Sequence, residues 1–536
     1  MRITHVSSLD IQGGAARAAY RLHRGLLGLG QDSRLLTPRK ASTDETVHRL
    51  GVAPEATDLA HRSLQHLQRD FIDAQRTSVS NTLFILPYPG YDLTARPEIR
   101  AADVINLHWV SRLQSPITLH RLLQLGPPVV WTLHDMWAFT GGCCYSSGCD
   151  GFERDCRPCP QLRADPHGLT AAVLGDKLAV LEPRPTVVAP SRWLAAAARR
   201  SRLFRNTRIE VIPYSLETEA FAPAPKTEAR RRLGLDPETL ILLAGADNGN
   251  ERRKGFPVLA DALRICVADP CVRERKSRGA ITLLWFGTPP DGLDRLPLPA
   301  LALGRIAEDE RLRLIYSAAD LYLLSSLEDN LPNTMLEAMS CGTPVVAFDV
   351  GGVPDVLEDG VTGRVVPAGD APRLAAAILD VLRDDSVRRK MSEACRRVME
   401  INHALDVQAR RYLDLYEDLL RRASRLDAAG SPLAPGAWRA APPHEEGPAP
   451  RPPSSLDASG EGPLIPADSG VGPAFQPILR RWSLQVAQAD FEELERARAD
   501  VERLRGRIGA MESSKFWKLR ALWFRVRRTI GFPGSE

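Results

Sequence analysis

The sequence predicts an α/β protein: two doubly wound, Rossmann-like domains facing a cleft, followed by a C-terminal helical tail. Three observations carry that prediction. Short apolar runs alternate with amphipathic stretches from residue 1 to about 425, the pattern of parallel sheets covered by helices on both faces. The runs (MRITHVSSL, DVINLH, VVWTLH, TVVAPS, IEVIPY, LILLAGA, ITLLWFG, LYLLSS and PVVAFD) are too many for one comfortable sheet. A chain of 536 residues with 44% hydrophobic content also has enough apolar material for two or three cores.

The elements divide in order. The seam falls near Ile212-Pro213-Tyr214-Ser215, so residues 1–214 form the first domain and 215–428 the second, which opens on the charged helix KTEARRRLG. Residues 429–478 are dense in Pro, Gly, Ala and Ser, a composition that cannot bury a core and reads as a disordered linker. In 479–512, Leu494, Val501 and Ile508 stand seven apart, as do Ala497, Leu504 and Met511. That short heptad run suits a coiled coil and self-association, or a helix docked on its own chain. Residues 513–536 carry six cations and no acid between Lys515 and Ile530, with Phe516, Leu519, Trp523, Val526 and Ile530 on one helical face. This is the composition of a peripheral helix on anionic lipid, or of one packed on protein.

Composition removes several classes. A net charge of +4 is too near zero to point to nucleic acid. No stretch approaches the roughly 20 apolar residues that span a bilayer. The start, MRITHVSSLD, is too polar for a signal peptide, and nine unevenly spaced cysteines do not make a secreted disulfide scaffold. The expected location is cytoplasmic, with the tail reaching the inner face of the plasma membrane.

The chemistry concentrates in SSLEDNLPNTMLEAMSCGTPVVAFDVGG, residues 325–352. Asp329 and Glu337 lie eight apart. Leu331-Pro332-Asn333-Thr334 reads as a loop entering a helix, whose unpaired N–H groups form an anion site. PVVAF is a buried strand ending at Gly351-Gly352. A carboxylate beside an anion site suits a nucleotide, with ribose hydroxyls to accept from and phosphates to hold. Three other pieces stand where strands end. Gly13-Gly14 follows the first strand and opens a helix; His134-Asp135 closes VVWTLH; Arg252-Arg253-Lys254 follows LILLAGA.

This segment resembles the E-x7-E signature of the retaining glycosyltransferases of family four, which have the GT-B fold. The family's first Glu is Asp329 here, preceded by Glu328, and its second is Glu337. The resemblance implies a retaining, metal-independent hexosyltransferase that moves a sugar from a UDP- or GDP-linked donor to a glycan or lipid-linked saccharide, in polysaccharide or cell-envelope glycan biosynthesis. It implies catalytic roles for His134, Lys254 and Asp329 with Glu328. Gly13, Gly14, Arg253, Lys254, Ile306, Asn333, Thr334 and Glu337 would bind the donor, Glu337 as ribose acceptor. No cofactor is needed for catalysis. The sequence departs from the pattern at the Glu→Asp change, in the Gly-poor NLPNT loop, and at Asn248, where the family has an Arg six residues before its Lys. Those departures keep a degenerate GT-B scaffold for a glycan-biosynthesis complex as an alternative; a sugar-nucleotide epimerase on the same fold is another.

Five cysteines cluster in GGCCYSSGCDGFERDCRPCPQL. Cys143, Cys149, Cys156 and Cys159 give C-x5-C-x6-C-x2-C, leaving Cys144 over. Four thiolates suit tetrahedral zinc, so a structural zinc and free thiols are the two readings. HDMWAFTGGC with this loop is similar to a subgroup of the same family.

Overall fold

The structure, a computed structural model, describes residues 1–428 apart from 52–54, 81 and 166–167. The linker, coiled-coil and tail expected over 429–536 lie outside the described residues. Among those described, no helix is long and apolar enough to cross a membrane.

The first sheet has seven parallel strands: β1 (Arg2–Val6), β2 (Asp32–Thr37), β3 (Val47–Arg49), β4 (Val104–Leu107), β5 (Val129–Thr132), β6 (Thr186–Ala189) and β7 (Ile209–Val211), in the order β3-β2-β1-β4-β5-β6-β7. The second has six: β8 (Leu240–Asn248), β9 (Ile281–Thr288), β10 (Ala300–Gly304), β11 (Leu321–Leu324), β12 (Val345–Phe348) and β13 (Gly363–Val366), in the order β10-β9-β8-β11-β12-β13. Every apolar run named above is a strand. Of the four strands outside these runs, β3, β10 and β13 lie at sheet edges, where few apolar residues are needed, and β2 begins on the polar Asp32-Ser33-Arg34.

Alternation explains why both faces of the second sheet are covered. Leu240, Leu242 and Ala244 of β8 pack into one core, while Ile241 and Leu243 pack into the other. Side chains of successive strand residues point to opposite faces, so an all-apolar strand is buried twice. The helix Leu405–Ala428 follows the second domain in sequence but packs on the first. Its Tyr412 and Tyr416 are fully buried with Ile3, Leu22, Val104 and Val188, and the Tyr416 hydroxyl accepts from Asn106 Nδ2 at 2.7 Å. The chain thus crosses between domains twice, and the crossings are pinned together. Leu216 N donates to His403 O at 2.9 Å, and Gln408 Nε2 donates to Pro213 O at 2.8 Å.

Candidate active site

Strand order reverses between β1 and β4 in the first sheet and between β8 and β11 in the second. Such switch points open a crevice at the carboxyl ends of the strands. Gly13-Gly14 follows β1, Arg252–Lys254 follows β8, and Ser325–Asn330 follows β11. A cleft of about 660 Å³ lies beside them, lined by Ser147, Gly148 and Trp193 of the first domain and by Arg252, Arg253, Glu328 and Gly351 of the second.

Asp329 is the centre of the second domain's side. Lys254 Nζ donates to its Oδ2 at 2.7 Å, and Arg253 Nη1 stands 3.3 Å from the same oxygen. Asn330 N donates to Oδ1 at 3.1 Å, and the Tyr145 hydroxyl reaches Oδ1 from the first domain at 3.4 Å. Burial alone would raise this carboxyl, but Lys254 and Arg253 outweigh it and hold it at about 2. The Lys254 ammonium is itself lowered, chiefly by burial. Arg253 also lies over the Tyr145 ring at 4.6 Å, and Tyr145 stacks against Trp193. Of the two arginines beside Lys254, Arg253 therefore brings the second charge to Asp329, while Arg252 donates to Ser78 O. Glu328 accepts from Ser147 N at 3.2 Å, and burial raises its carboxyl.

Two glycines make these loops fit. Gly255 has φ 68°, and a Cβ there would sit 1.9 Å from Ser325 O. Gly351 has φ 56°, and a Cβ would sit 1.6 Å from Asp329 O. Neither position admits a side chain without moving the carboxylate loop.

Glu337 is placed differently. It lies one turn into the helix Asn333–Ser340, which begins behind Pro332, and is 4% exposed. Its Oε1 accepts from Arg21 Nη2 at 2.9 Å, with Arg17 Nε at 3.6 Å. Its Oε2 accepts from the Tyr316 hydroxyl at 3.1 Å. Both arginines come from the first domain's helix Gly14–Gly28. Asn333 Nδ2 adds a bond to Gly14 O at 2.9 Å, so the two helices meet directly. Thr334 follows Asn333 in the helix's first turn. Ile306, in the loop after β10, packs half-buried on the second domain's core.

His134 is buried with both ring nitrogens engaged. Nδ1 meets the Tyr214 hydroxyl at 2.7 Å and Nε2 meets His108 Nδ1 at 3.1 Å; His108 Nε2 in turn meets His5 Nδ1 at 3.0 Å. Burial lowers His134 to about 3, so it is a neutral imidazole at ordinary pH. Its carbonyl oxygen accepts from Asn330 Nδ2 at 3.0 Å, which ties it to the Asp329 loop.

Cys143, Cys149, Cys156 and Cys159 line one small cavity of about 20 Å³. None of the chain's cysteines is in a disulfide. Gly141 N donates to Cys156 Sγ at 3.2 Å and Gly151 N to Cys149 Sγ at 3.3 Å. Among the described residues, no three His, Cys, Asp or Glu side chains already form a metal-binding group.

The structure thus gathers Lys254, Arg253, Asp329 and Glu328 on one side, and Gly14, Asn333 and Glu337 at a separate seam. His134 joins the first group through Asn330. The motifs did not disclose Arg17, Arg21, Tyr145, Tyr316 or Trp193. Arg21 had a signal: with Ala18, Leu22 and Gly25 it lies on the buried face of an amphipathic helix, a place where a lone cation needs a buried partner.

Comparison with known proteins gives the same outline. Residues 12–220 match the family model "Glycosyltransferase Family 4", and residues 238–384 match "Glycosyl transferases group 1". A D-inositol 3-phosphate glycosyltransferase of Geodermatophilus obscurus is 31% identical over 238 residues, covering 40% of this chain and 51% of that protein. A phosphatidyl-myo-inositol mannosyltransferase of Mycobacterium leprae is 31% identical over 228 residues, covering 41% and 56%. The chain spans about half the length of these curated relatives. Among solved structures, sucrose-phosphate synthase of Thermosynechococcus elongatus superposes with a TM-score of 0.54 at 19% identity, covering 78% of this chain and 99% of that one. HepE of Anabaena in complex with UDP superposes at 0.53 and 16% identity, covering 78% and 100%. At such identities the likeness is one of fold, and the fold is the two-domain GT-B arrangement.

Proposed function

We propose that this chain is a retaining glycosyltransferase that moves a hexose from a nucleotide-sugar donor to a saccharide or lipid-linked acceptor. The observation that carries the reading is the Asp329–Lys254–Arg253 group at the carboxyl edge of the second sheet, whose Arg253, with Glu328, lines the interdomain cleft. Two cations fixed beside a buried carboxylate supply what diphosphate departure needs. Lys254 and Arg253 neutralise the leaving group, the contribution expected to dominate, while Asp329 and Glu328 orient hydroxyls of the transferred sugar. These cations take the part a divalent metal plays elsewhere, so the reaction is read as metal-independent. His134 holds the Asp329 loop through Asn330 instead of offering a ring nitrogen. The donor is read as UDP- or GDP-linked; HepE, of the same fold, was solved with UDP. The named relatives act on inositol phosphate or phosphatidyl-myo-inositol, which favours a polar or lipid-linked acceptor in envelope glycan synthesis.

A thermal-shift panel of UDP, GDP and ADP, followed by hydrolysis of the matching nucleotide sugars, tests this. Protection by one nucleotide and release of its sugar are expected. Protection by none, with no hydrolysis, would favour the degenerate scaffold. For the cysteine loop the proposal is one structural zinc that draws Cys143, Cys149, Cys156 and Cys159 together. Two backbone N–H groups already aimed at sulfur support it. Metal analysis of purified protein should give one zinc per chain; four alkylatable thiols and no metal would reject it.

A further inference from the structure

Trp193 lines the cleft from the first domain but takes no part in the donor chemistry proposed above. We infer that its indole is the platform on which the acceptor sits, and that the acceptor presents a neutral sugar ring there, not a phosphorylated group, a specificity that rests on the donor-site reading above.

The indole is fixed from both flanks. Ser191 caps the helix Arg192–Arg200, its Oγ accepting from Leu194 N at 3.1 Å. The same hydroxyl donates across the cleft to Asn330 Oδ1 at 2.7 Å. Arg192 Nε donates to Asp355 Oδ1 at 2.9 Å, and its backbone N donates to the other oxygen at 2.6 Å. A Cβ on Gly352 would come within 2.6 Å of Ser191 Cβ, so the first turn of this helix lies directly against the second domain. Behind the indole, Tyr145 stacks at 6.4 Å and 21°, and Arg253 closes the column 4.6 Å from the Tyr145 ring. Trp193 itself stays only half-buried. An aromatic side chain held in place before binding loses little freedom when a ligand covers it, which makes it an effective anchor.

The rest of the lining says what it anchors. Val79, Leu327 and Val350 are half-buried apolar side chains, while Ser147, Glu328 and Asp349 bring a hydroxyl and two carboxylates. A pyranose has the same two characters: a face of C–H groups that packs on an aromatic ring, and a rim of hydroxyls that donates to carboxylates. The cleft's volume of about 660 Å³ is in the range of small-molecule sites. Charge narrows the choice further. Arg253 is committed to Asp329 and Glu251, at 3.3 and 2.9 Å, and Arg252 donates to Ser78 O at 2.8 Å. A phosphorylated acceptor would bring its charge up to Glu328 and Asp349, a like-charge contact that selects against it. Because Glu328 adjoins Asp329, the same cleft leads to the carboxylate that Lys254 and Arg253 hold.

Transfer by the full chain tests this, from UDP- and GDP-linked hexoses to the methyl pyranosides of glucose, galactose and mannose, with glucose 6-phosphate as the charged alternative. Wild type should use at least one neutral glycoside with a kcat/KM roughly 10-fold or more above that for glucose 6-phosphate. Trp193→Ala should raise the acceptor KM about 10- to 100-fold, with the donor KM moving far less; a merely loosened fold would not separate the two. Trp193→Phe keeps a ring and should recover much of the loss. Asp349→Arg should narrow the preference for neutral acceptors, and it keeps the question answerable if Trp193→Ala does not fold. An unchanged acceptor KM in Trp193→Ala, a wild type that prefers glucose 6-phosphate, or a preference that Asp349→Arg leaves unaltered would each overturn the assignment. So would donor hydrolysis with no transfer to any neutral glycoside. If no donor is hydrolysed at all, the donor-site reading falls, and the acceptor platform with it.

Discussion

Asp329 and Glu337 make an instructive pair. Both are buried carboxylates, eight residues apart, and each is held by two cations. The cations differ in origin. Lys254 and Arg253 belong to Asp329's own domain, on the loop after β8; Arg21 and Arg17 reach Glu337 from the other domain. A pair built within one domain keeps its geometry whatever the domains do relative to each other. A pair built across two exists only when they are shut. The difference teaches that one motif can carry two kinds of preorganisation: a standing electrostatic site at its first acid and a conformation-dependent one at its second.

The largest expected effect breaks the comparison at the Asp329 end. Replacing Lys254 with Ala should lower sugar release from the donor roughly 10²- to 10³-fold, the usual cost of losing one charge-stabilising group in a closed site. The Glu337 seam should be untouched, while nucleotide affinity should fall with the loss of a phosphate-facing cation. Near-normal turnover in Lys254→Ala would remove the Asp329 group from the chemistry.

The next effect falls on stability at the other end. Glu337→Ala strips one of two carboxylates from a fully buried Arg21 and should cost about 3 kcal/mol in urea unfolding, since breaking a buried pair leaves a charge uncompensated. Asp329→Asn keeps a polar group of the same shape between Lys254 and Arg253 and should cost less. Equal losses would mean that the seam at Glu337 contributes no more than the local pair.

Legibility followed the same division. The two sheets and the loops holding Lys254, Asp329 and Gly14 could be read because period-two apolar strands and Gly-bearing turns leave local marks. The Arg253 assignment needed the fold, since three adjacent cations look alike until one is seen over Tyr145. The Arg21–Glu337 pair spans 316 positions, and nothing local to either residue specifies the other. The return of Leu405–Ala428 to the first domain was hidden for the same reason: its apolar stripe says that it packs, not on what.

A third effect is in the acid limb, and it sharpens the contrast between standing and conditional sites. Asp329 titrates at about 2 in the folded chain, below its ordinary 3.8, because Lys254 and Arg253 overcome the burial that would raise it. A depressed carboxyl contributes stability that is present above about pH 4 and lost as pH falls toward 2, worth roughly 2 kcal/mol here. His134 adds loss of the same sign over a higher window. Lowered to about 3 by burial, it binds fewer protons folded than unfolded between about pH 6.5 and 3, so stability falls on acidification through that range. Urea midpoints across pH 2 to 7 should therefore decline in two stages. Asp329→Asn should make the lower stage shallower, and His134→Asn the upper one, which His5, His23 and His108, also lowered by burial, share. Because neither group depends on the other domain's arginines, Arg21→Met should leave both stages in place. Loss of the lower stage in Arg21→Met would show that the Asp329 group also requires closed domains, and the distinction between the two acids would collapse.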